Sequence, residues 1–423
     1  MKVAIVNKFF FLKGGQETLA LEQMKLLQEA GHEVAFFSMH HPQNPTDYAW
    51  SAYFADYVDY SLKENPPHWL KKLTLARNFI DNPEAGKRFR AFLQAFQPDI
   101  IHCHGIAHQL TYSILRDSQK LNIPVVQTLH DYQIICPAYT LLQGDQSICH
   151  AECTTDNYLP CLQNRCVKDS QAASALSALE MFYNRRVRDY TPLVSQFIAP
   201  SRFLADKVIA GGIPANRVSH IPNFLTGIDA YPSASAKSGD YFLYIGRLSH
   251  EKGLFTLLKA MEQVPDAHLK IVGDGPLKAQ LLQACAEQGL TNVEFVGHLS
   301  RSGVSEALQN SIAAILPSEW FENQPMSIIE AYAHGKPVIA SDMGGIPEMV
   351  QTDYGQRFRP GDAQQLAQIL KQAMAHPEAW HQKGQQARQF ARSQYSSDRH
   401  MEKLTQLYDS LMNNTNNTTQ SPR

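Results

Sequence analysis

Two glutamates eight positions apart, Glu322 and Glu330, stand in the stretch ILPSEWFENQPMSIIEAYAHGKPVIASD (315–342). A carboxylate is a strong acceptor for hydroxyl groups, which sugars and riboses present in pairs. Pro325 suits the first position of a helix, so Glu322 falls at a helix mouth beside unsatisfied amides. Glu330 then lies about one and a half turns inside that helix. Each could grip a different polyol, or either could sit on a solvated helix face. A second set is GRLSHEKG (246–253), where Arg247 and Lys252 place two cations on one turn. A diphosphate needs two cations at fixed separation and free amides such as that of Gly246; the plain alternative is a charge pair on a surface loop. In KGGQE (13–17) the paired Gly14 and Gly15 would let amides at a helix start approach an anion, or would merely supply a turn needing positive φ. In TLHDYQIICP (128–137), His130 could orient a hydroxyl, carry a proton near neutral pH, or be structural.

These groups need elements to position them, and the chain supplies two series of alternating strands and helices. KVAIVN (2–7), EVAFFSM (33–39), PDIIHCHG (98–105), PVVQTLHD (124–131) and QFIAPS (196–201) are expected strands, with helical spacing between them. The pattern restarts with YFLYIGRL (241–248), LKIVGDG (269–275), VEFVG (293–297), AAILPS (313–318) and PVIASD (337–342). Such alternation implies a parallel sheet covered on both faces. The stretch 222–240, rich in Pro, Ser, Ala and Gly, has the composition of a linker. The fold class is therefore α/β, with two doubly wound Rossmann-like domains: residues 1–225, with a cysteine-rich insertion near 136–166, and residues 240–390. Residues 391–412 are expected as a C-terminal helix packing back on the first domain, and 413–423 as a structureless tail. In open parallel sheets ligands bind beyond the carboxyl ends of the strands. All four chemical groups fall there, so a cleft between facing domains is their expected place.

Composition narrows the function classes. With 38 Lys+Arg against 40 Asp+Glu the formal net charge is -2, which gives no electrostatic reason to bind nucleic acid. No apolar run approaches the roughly 20 residues of a membrane span, and the N-terminal stretch reads as a strand and turn rather than a signal peptide, so a cytoplasmic protein is expected. Cys149, Cys153, Cys161 and Cys166 could hold a structural zinc ion, though their spacings are looser than a zinc knuckle; buried thiols are the alternative. No D-x-D occurs, so a metal holding a nucleotide diphosphate in that manner is not expected. Neither G-x-x-x-x-G-K-[ST] nor G-x-S-x-G occurs.

Taken together, GGQETLALEQMKLLQEAGHEV, TLHDY, IPN (221–223), GRLSHEKG, IVGDGP (271–276), FENQPMSIIEA and GKPVIASDMGGIPEMV resemble the retaining glycosyltransferases of family 4, which have the two-domain GT-B fold. The resemblance covers most of the chain, and Glu322 and Glu330 match that family's E-x7-E signature. It implies that Glu322 faces the donor sugar, that Glu330 holds the nucleotide ribose, and that Arg247 and Lys252 stabilise the departing diphosphate without a metal or other cofactor. It also implies that His130 lies near the reacting sugar, that Gly14, Gly15 and Gly246 line the site, and that Asn323, Gln324, Pro325 and Met326 form the donor loop. That loop departs from the usual glycine-rich form, which alters the expected sugar contacts. Retention would follow from a front-face displacement assisted by the leaving phosphate. The expected partners are a nucleotide-diphosphate sugar, UDP- or GDP-linked, and a glycan or lipid-linked acceptor, as in cell-surface polysaccharide or glycolipid synthesis. The same fold could serve a nucleotide-sugar epimerase or a non-catalytic sugar-binding module. The basic and apolar stretch 69–96 could rest on an anionic membrane surface or simply cover the first sheet.

Overall fold

The computed structural model describes the chain except for residues 61–68, 151–152, 154–156, 233–238 and 420–423, together with the side chains of 69–72 and 414–419. The chain divides into two units. The first comprises Met1–Pro200, Leu204–Ile221 and the residues from Met401 onward; the second comprises Ser201–Phe203 and Pro222–His400.

The first unit is built on strands β1 (Lys2–Val6), β2 (Glu33–Phe37), β3 (Ile100–Cys103), β4 (Val125–Thr128), β5 (Gln196–Ala199) and β6 (Val218–His220). All pairings are parallel, in the order β2-β1-β3-β4-β5-β6. Valine and isoleucine make up most of β1 from Val3 onward and open β3 and β4, because helices cover both faces and these positions do not meet water. The order reverses between β1 and β3, so their carboxyl ends flank a topological switch point. β6 is not apparent in the sequence: its three residues, Val-Ser-His, are half-buried at the sheet edge and carry no apolar run. In the stretch 69–96, Asn82 caps a second helix, Pro83–Phe96, which buries Phe89, Phe92, Leu93 and Phe96. Phe89 and Phe92 contact Phe37 of β2, with ring centroids 4.7 and 5.4 Å apart, so this half of the stretch covers the sheet. Among the described residues no helix is long and apolar enough to cross a membrane.

The second unit contains β7 (Tyr241–Ile245), β8 (Leu269–Val272), β9 (Val293–Gly297), β10 (Ser311–Leu316), β11 (Val338–Ser341) and β12 (Gly355–Phe358), in the order β12-β11-β10-β7-β8-β9 and again parallel. Its two faces form separate cores. Phe242, Tyr244 and Ile271 meet helices Leu254–Glu262 and Ala363–Ala375, while Leu243, Leu316 and Val338 meet helices Met326–Ala333 and Pro377–Tyr395. Successive β7 side chains alternate between these cores, and each large one contributes about 1.5–3 kcal/mol of burial. The switch point here lies between β7 and β10.

The helical region after Ala363 breaks at His376, before Pro377, and a second time at Ser396. Ser396 is drawn out of the helix by a bridge to Leu225, whose amide bonds to the Tyr395 carbonyl at 2.9 Å. Its hydroxyl accepts from Arg399 N as the next helix begins. That helix, Ser397–Thr419, carries Leu404 and Tyr408 into the core of the first unit. It continues beyond Met412 through residues expected to be structureless, because each added residue closes one more bond on an existing helix; residues 420–423 lie outside the described set.

Candidate active site

At the switch point of the second unit, the turn after β7 and the loop after β10 lock together. Gly253 has φ +66°, and a Cβ there would fall 1.9 Å from the Pro317 carbonyl oxygen, so only glycine permits this approach. Glu319 N donates to the Glu251 carbonyl at 2.8 Å. The contact brings Lys252 Nζ to 2.7 Å from Glu322 Oε1, which also accepts from Ser318 Oγ at 2.6 Å. Lys252 lies over the Trp320 ring as well, 5.1 Å from its centroid. Glu322 is buried. Burial alone would raise its pKa, but the Lys252 charge and the two hydrogen bonds outweigh it and hold the carboxyl below its ordinary value. The backbone behind Glu322 is fixed by Gly344 and Gly345: Gly345 N donates to the Glu322 carbonyl at 2.7 Å, and Gly344 has φ +61°.

Arg247 is exposed on the same turn as Lys252. Its carbonyl accepts from Tyr244 Oη at 2.8 Å, which fixes the backbone, whereas its guanidinium has no partner among the described residues. Gly246 N closes the turn onto the Val272 carbonyl at 3.0 Å. Pro325 caps the helix Met326–Ala333, at whose start the first amides have no intrahelical acceptor. Glu330 lies in that helix, half-buried between Ile329 and Ala331. Burial raises its pKa, opposed by the Arg301 charge, and its carboxylate has no hydrogen bond among the described residues. Asn323 and Gln324 are engaged within the unit. Asn323 Oδ1 accepts from Ser201 Oγ at 2.7 Å, and Gln324 Oε1 accepts from Asn223 N at 2.6 Å. Their side chains thus tie the loop to the 201 and 223 segments.

In the first unit, Gly14 caps the helix Gly15–Glu29 in extended conformation, and neither glycine has positive φ. Nothing lies within 4 Å of a Cβ built at Gly15. The alternative of a turn requiring positive φ is therefore excluded; both residues lie exposed at an open helix start. His130 Nε2 is 2.9 Å from His104 Nδ1. Burial, reinforced by the Lys8 charge, lowers the His130 pKa to about 4. The imidazole is neutral at pH 7, so it can hold a hydroxyl but is not the proton carrier near neutrality that the unperturbed residue would be. Ser318, His104 and Lys8 were not singled out from sequence. Ser318 and His104 each stand just past a strand end, the one signal that could have marked them.

Cys136, Cys149, Cys153, Cys161 and Cys166 line one small apolar pocket, with no disulfide among them. Among the described residues no three His, Cys, Asp or Glu side chains are arranged to hold a metal ion.

Residues 13–226 match the family described as Glycosyltransferase Family 4, and residues 230–390 match Glycosyl transferases group 1. The first match spans half of the chain, which therefore belongs to Glycosyltransferase Family 4. Among similar proteins, the sulfoquinovosyl transferase of Arabidopsis thaliana is 24% identical over 295 residues, 65% of this chain and 50% of that one. The D-rhamnosyltransferase WbpZ of Pseudomonas aeruginosa is 28% identical over 219 residues, 47% and 56% of the two chains. The matches to these relatives thus span about half of the relatives' own length. The fold matches sucrose-phosphate synthase from Thermosynechococcus elongatus with a TM-score of 0.68 at 19% identity, covering 97% and 98% of the two chains. It also matches Anabaena HepE, solved in complex with UDP-glucose, with a TM-score of 0.66 at 18% identity, covering 97% and 100%. This glycosyltransferase accordingly has two Rossmann-like parallel-sheet units of the GT-B class.

Proposed function

We propose that this chain transfers a hexose from a UDP- or GDP-linked donor to a glycan or lipid-linked acceptor, with retention of anomeric configuration, in cell-surface polysaccharide or glycolipid synthesis. The observation that carries the reading is the switch point of the second sheet. There one turn presents an Arg247 guanidinium without a partner among the described residues and a Lys252 ammonium held by buried Glu322. Arg247, Lys252 and the amides opening the helix at Met326 receive the diphosphate. Charge grows on that group as the glycosidic bond breaks, and prepositioned cations then lower the barrier more than they strengthen ground-state binding. Glu322 fixes the Lys252 ammonium and offers its second oxygen to the donor sugar. Glu330, whose carboxylate carries no hydrogen bond among the described residues, accepts from the ribose hydroxyls. His130, as a neutral imidazole, orients a sugar hydroxyl. HepE is described in complex with UDP-glucose, which supports a nucleotide sugar as the ligand.

The test begins with thermal shift against UDP-, GDP- and ADP-sugars, since a bound donor raises apparent stability. The donor found is then incubated with candidate acceptors, and the product anomer is read by NMR. Release of nucleoside diphosphate coupled to a retained anomer supports the proposal. An isomerised nucleotide sugar, binding without turnover, or an inverted product would overturn it.

A further inference from the structure

At the amino ends of the second sheet, opposite the carboxyl ends that carry Lys252 and Glu322, lies a pocket of about 270 Å³. Ser311 opens β10 there, and Lys336 and Pro337 run into β11. The first turn of the helix Pro377–Tyr395 contributes Pro377, Trp380 and His381. None of these groups serves the donor chemistry. Lys336 is only 4% exposed. Its ammonium donates to the Ser311 carbonyl at 2.8 Å, and its other two N–H groups meet no acceptor among the described residues. Burial, with no charge acting beside it, lowers its pKa to about 8, so the group is still cationic at pH 7. Lys252 has Glu322 as its counter-charge, whereas Lys336 pairs with no carboxylate among the described residues. A buried cation left uncompensated costs free energy that an anion in the pocket would recover.

The helix adds to the same charge preference. Pro377 has no N–H, and His376 before it makes no side-chain cap bond, so the amides of Glu378 and Ala379 open a 19-residue helix without an intrahelical acceptor. Glu378 is exposed and does not line the pocket. His381 is half-buried; its Nε2 lies 3.0 Å from Gln385 Nε2, and its Nδ1 has no partner among the described residues. No acidic side chain lines the pocket among the described residues, so a cation finds no ligand, and a neutral polyol leaves the Lys336 charge uncompensated. A carboxylate presents two oxygens in one plane. A phosphate presents its oxygens tetrahedrally, which suits an ammonium, an imidazole and helix amides supplied by different elements. We infer that this pocket binds a phosphate group, as the free ion or as a monoester of a small metabolite, held by Lys336, His381 and the first turn of the helix.

The full chain, unaltered and with Arg247→Ala to weaken phosphate binding at the β7 turn, is titrated calorimetrically with inorganic phosphate, methyl phosphate and acetate at constant ionic strength. The expected result is saturable phosphate binding that survives Arg247→Ala and raises Tm on occupancy. Tighter methyl phosphate assigns the site to a monoester, and tighter inorganic phosphate to the free ion. In the Arg247→Ala background, affinity should fall about ten- to hundredfold with Lys336→Met and about several-fold with His381→Ala. Without phosphate, Lys336→Met should keep its circular dichroism and lose no Tm, since it removes an uncompensated buried charge. Should that variant fail to fold, His381→Ala decides alone. Absence of saturable binding, a preference for acetate, or unchanged affinity in His381→Ala and in a folded Lys336→Met would overturn the inference. Phosphate binding present in the unaltered chain but lost in Arg247→Ala would place the ion at the β7 turn and equally overturn it.

Discussion

Replacing Lys252 by methionine should damage stability and catalysis by separable routes. Lys252 Nζ, 2.7 Å from Glu322 Oε1, neutralises a carboxylate whose side chain is only 7% exposed. Removing one partner of a buried pair costs about 3–5 kcal/mol, because the remaining charge stays uncompensated. The Lys252 side chain keeps 18% of its surface, and Ser318 still donates to Glu322, so the lower end, about 3 kcal/mol, applies. For a unit of this size that lowers Tm by about 6–12 °C. The pH dependence gives the sharper test. In the parent chain the Glu322 pKa is held below its ordinary value of 4.5, so its contribution is present above that pH and is lost as pH falls through the depressed folded value. Without Lys252, burial dominates and the folded pKa rises above 4.5. The penalty then exists above the raised value and disappears below the unfolded one. The Tm gap between parent and Lys252→Met should therefore narrow as pH is lowered from 7 to below 4.5, read by calorimetry on the transition of the second unit. Adding Glu322→Gln should restore most of the lost Tm at pH 7 without restoring turnover. A gap that stays constant with pH, or no gap at all, would refute the reasoning.

Four further outcomes are expected. Arg247→Ala should leave stability nearly unchanged, within about 0.5 kcal/mol, because the exposed guanidinium has no partner among the described residues, yet cut turnover about a hundredfold or more. Glu330→Ala should keep the fold and weaken nucleotide-sugar binding about ten- to hundredfold by calorimetric titration. In the parent chain, that affinity should strengthen as pH rises through the raised Glu330 pKa. Turnover should survive excess chelator, and strict dependence on magnesium or manganese would contradict the cationic side chains as the groups that meet the diphosphate. The His130 imidazole should titrate near 4 by NMR. Its folded pKa lies below the unfolded 6.5, so stability is lost as pH falls from about 6.5 towards 4, and His130→Gln should flatten that part of the profile.

The sequence alone determined the two-sheet architecture, because buried parallel strands must be written as short apolar runs and their covering helices in a different period. It also marked the turn at 246–253, the helix carrying Glu330, and the paired glycines at 14–15, since proline, glycine and charge at strand ends are local signals. Edge strand β6 and the break at Ser396 were not legible: each depends on a partner distant in sequence, such as Leu225 for Ser396. The same holds at the site. Sequence could name Lys252 and Glu322 as separate cation and carboxylate, 70 residues apart, but only packing of the Gly253 turn against Pro317 makes them one buried pair. It could name His130, but only burial decides that the ring is neutral at pH 7. Residue types and their period are properties of the chain, whereas solvent exclusion and charge pairing are properties of what the folded chain brings beside them.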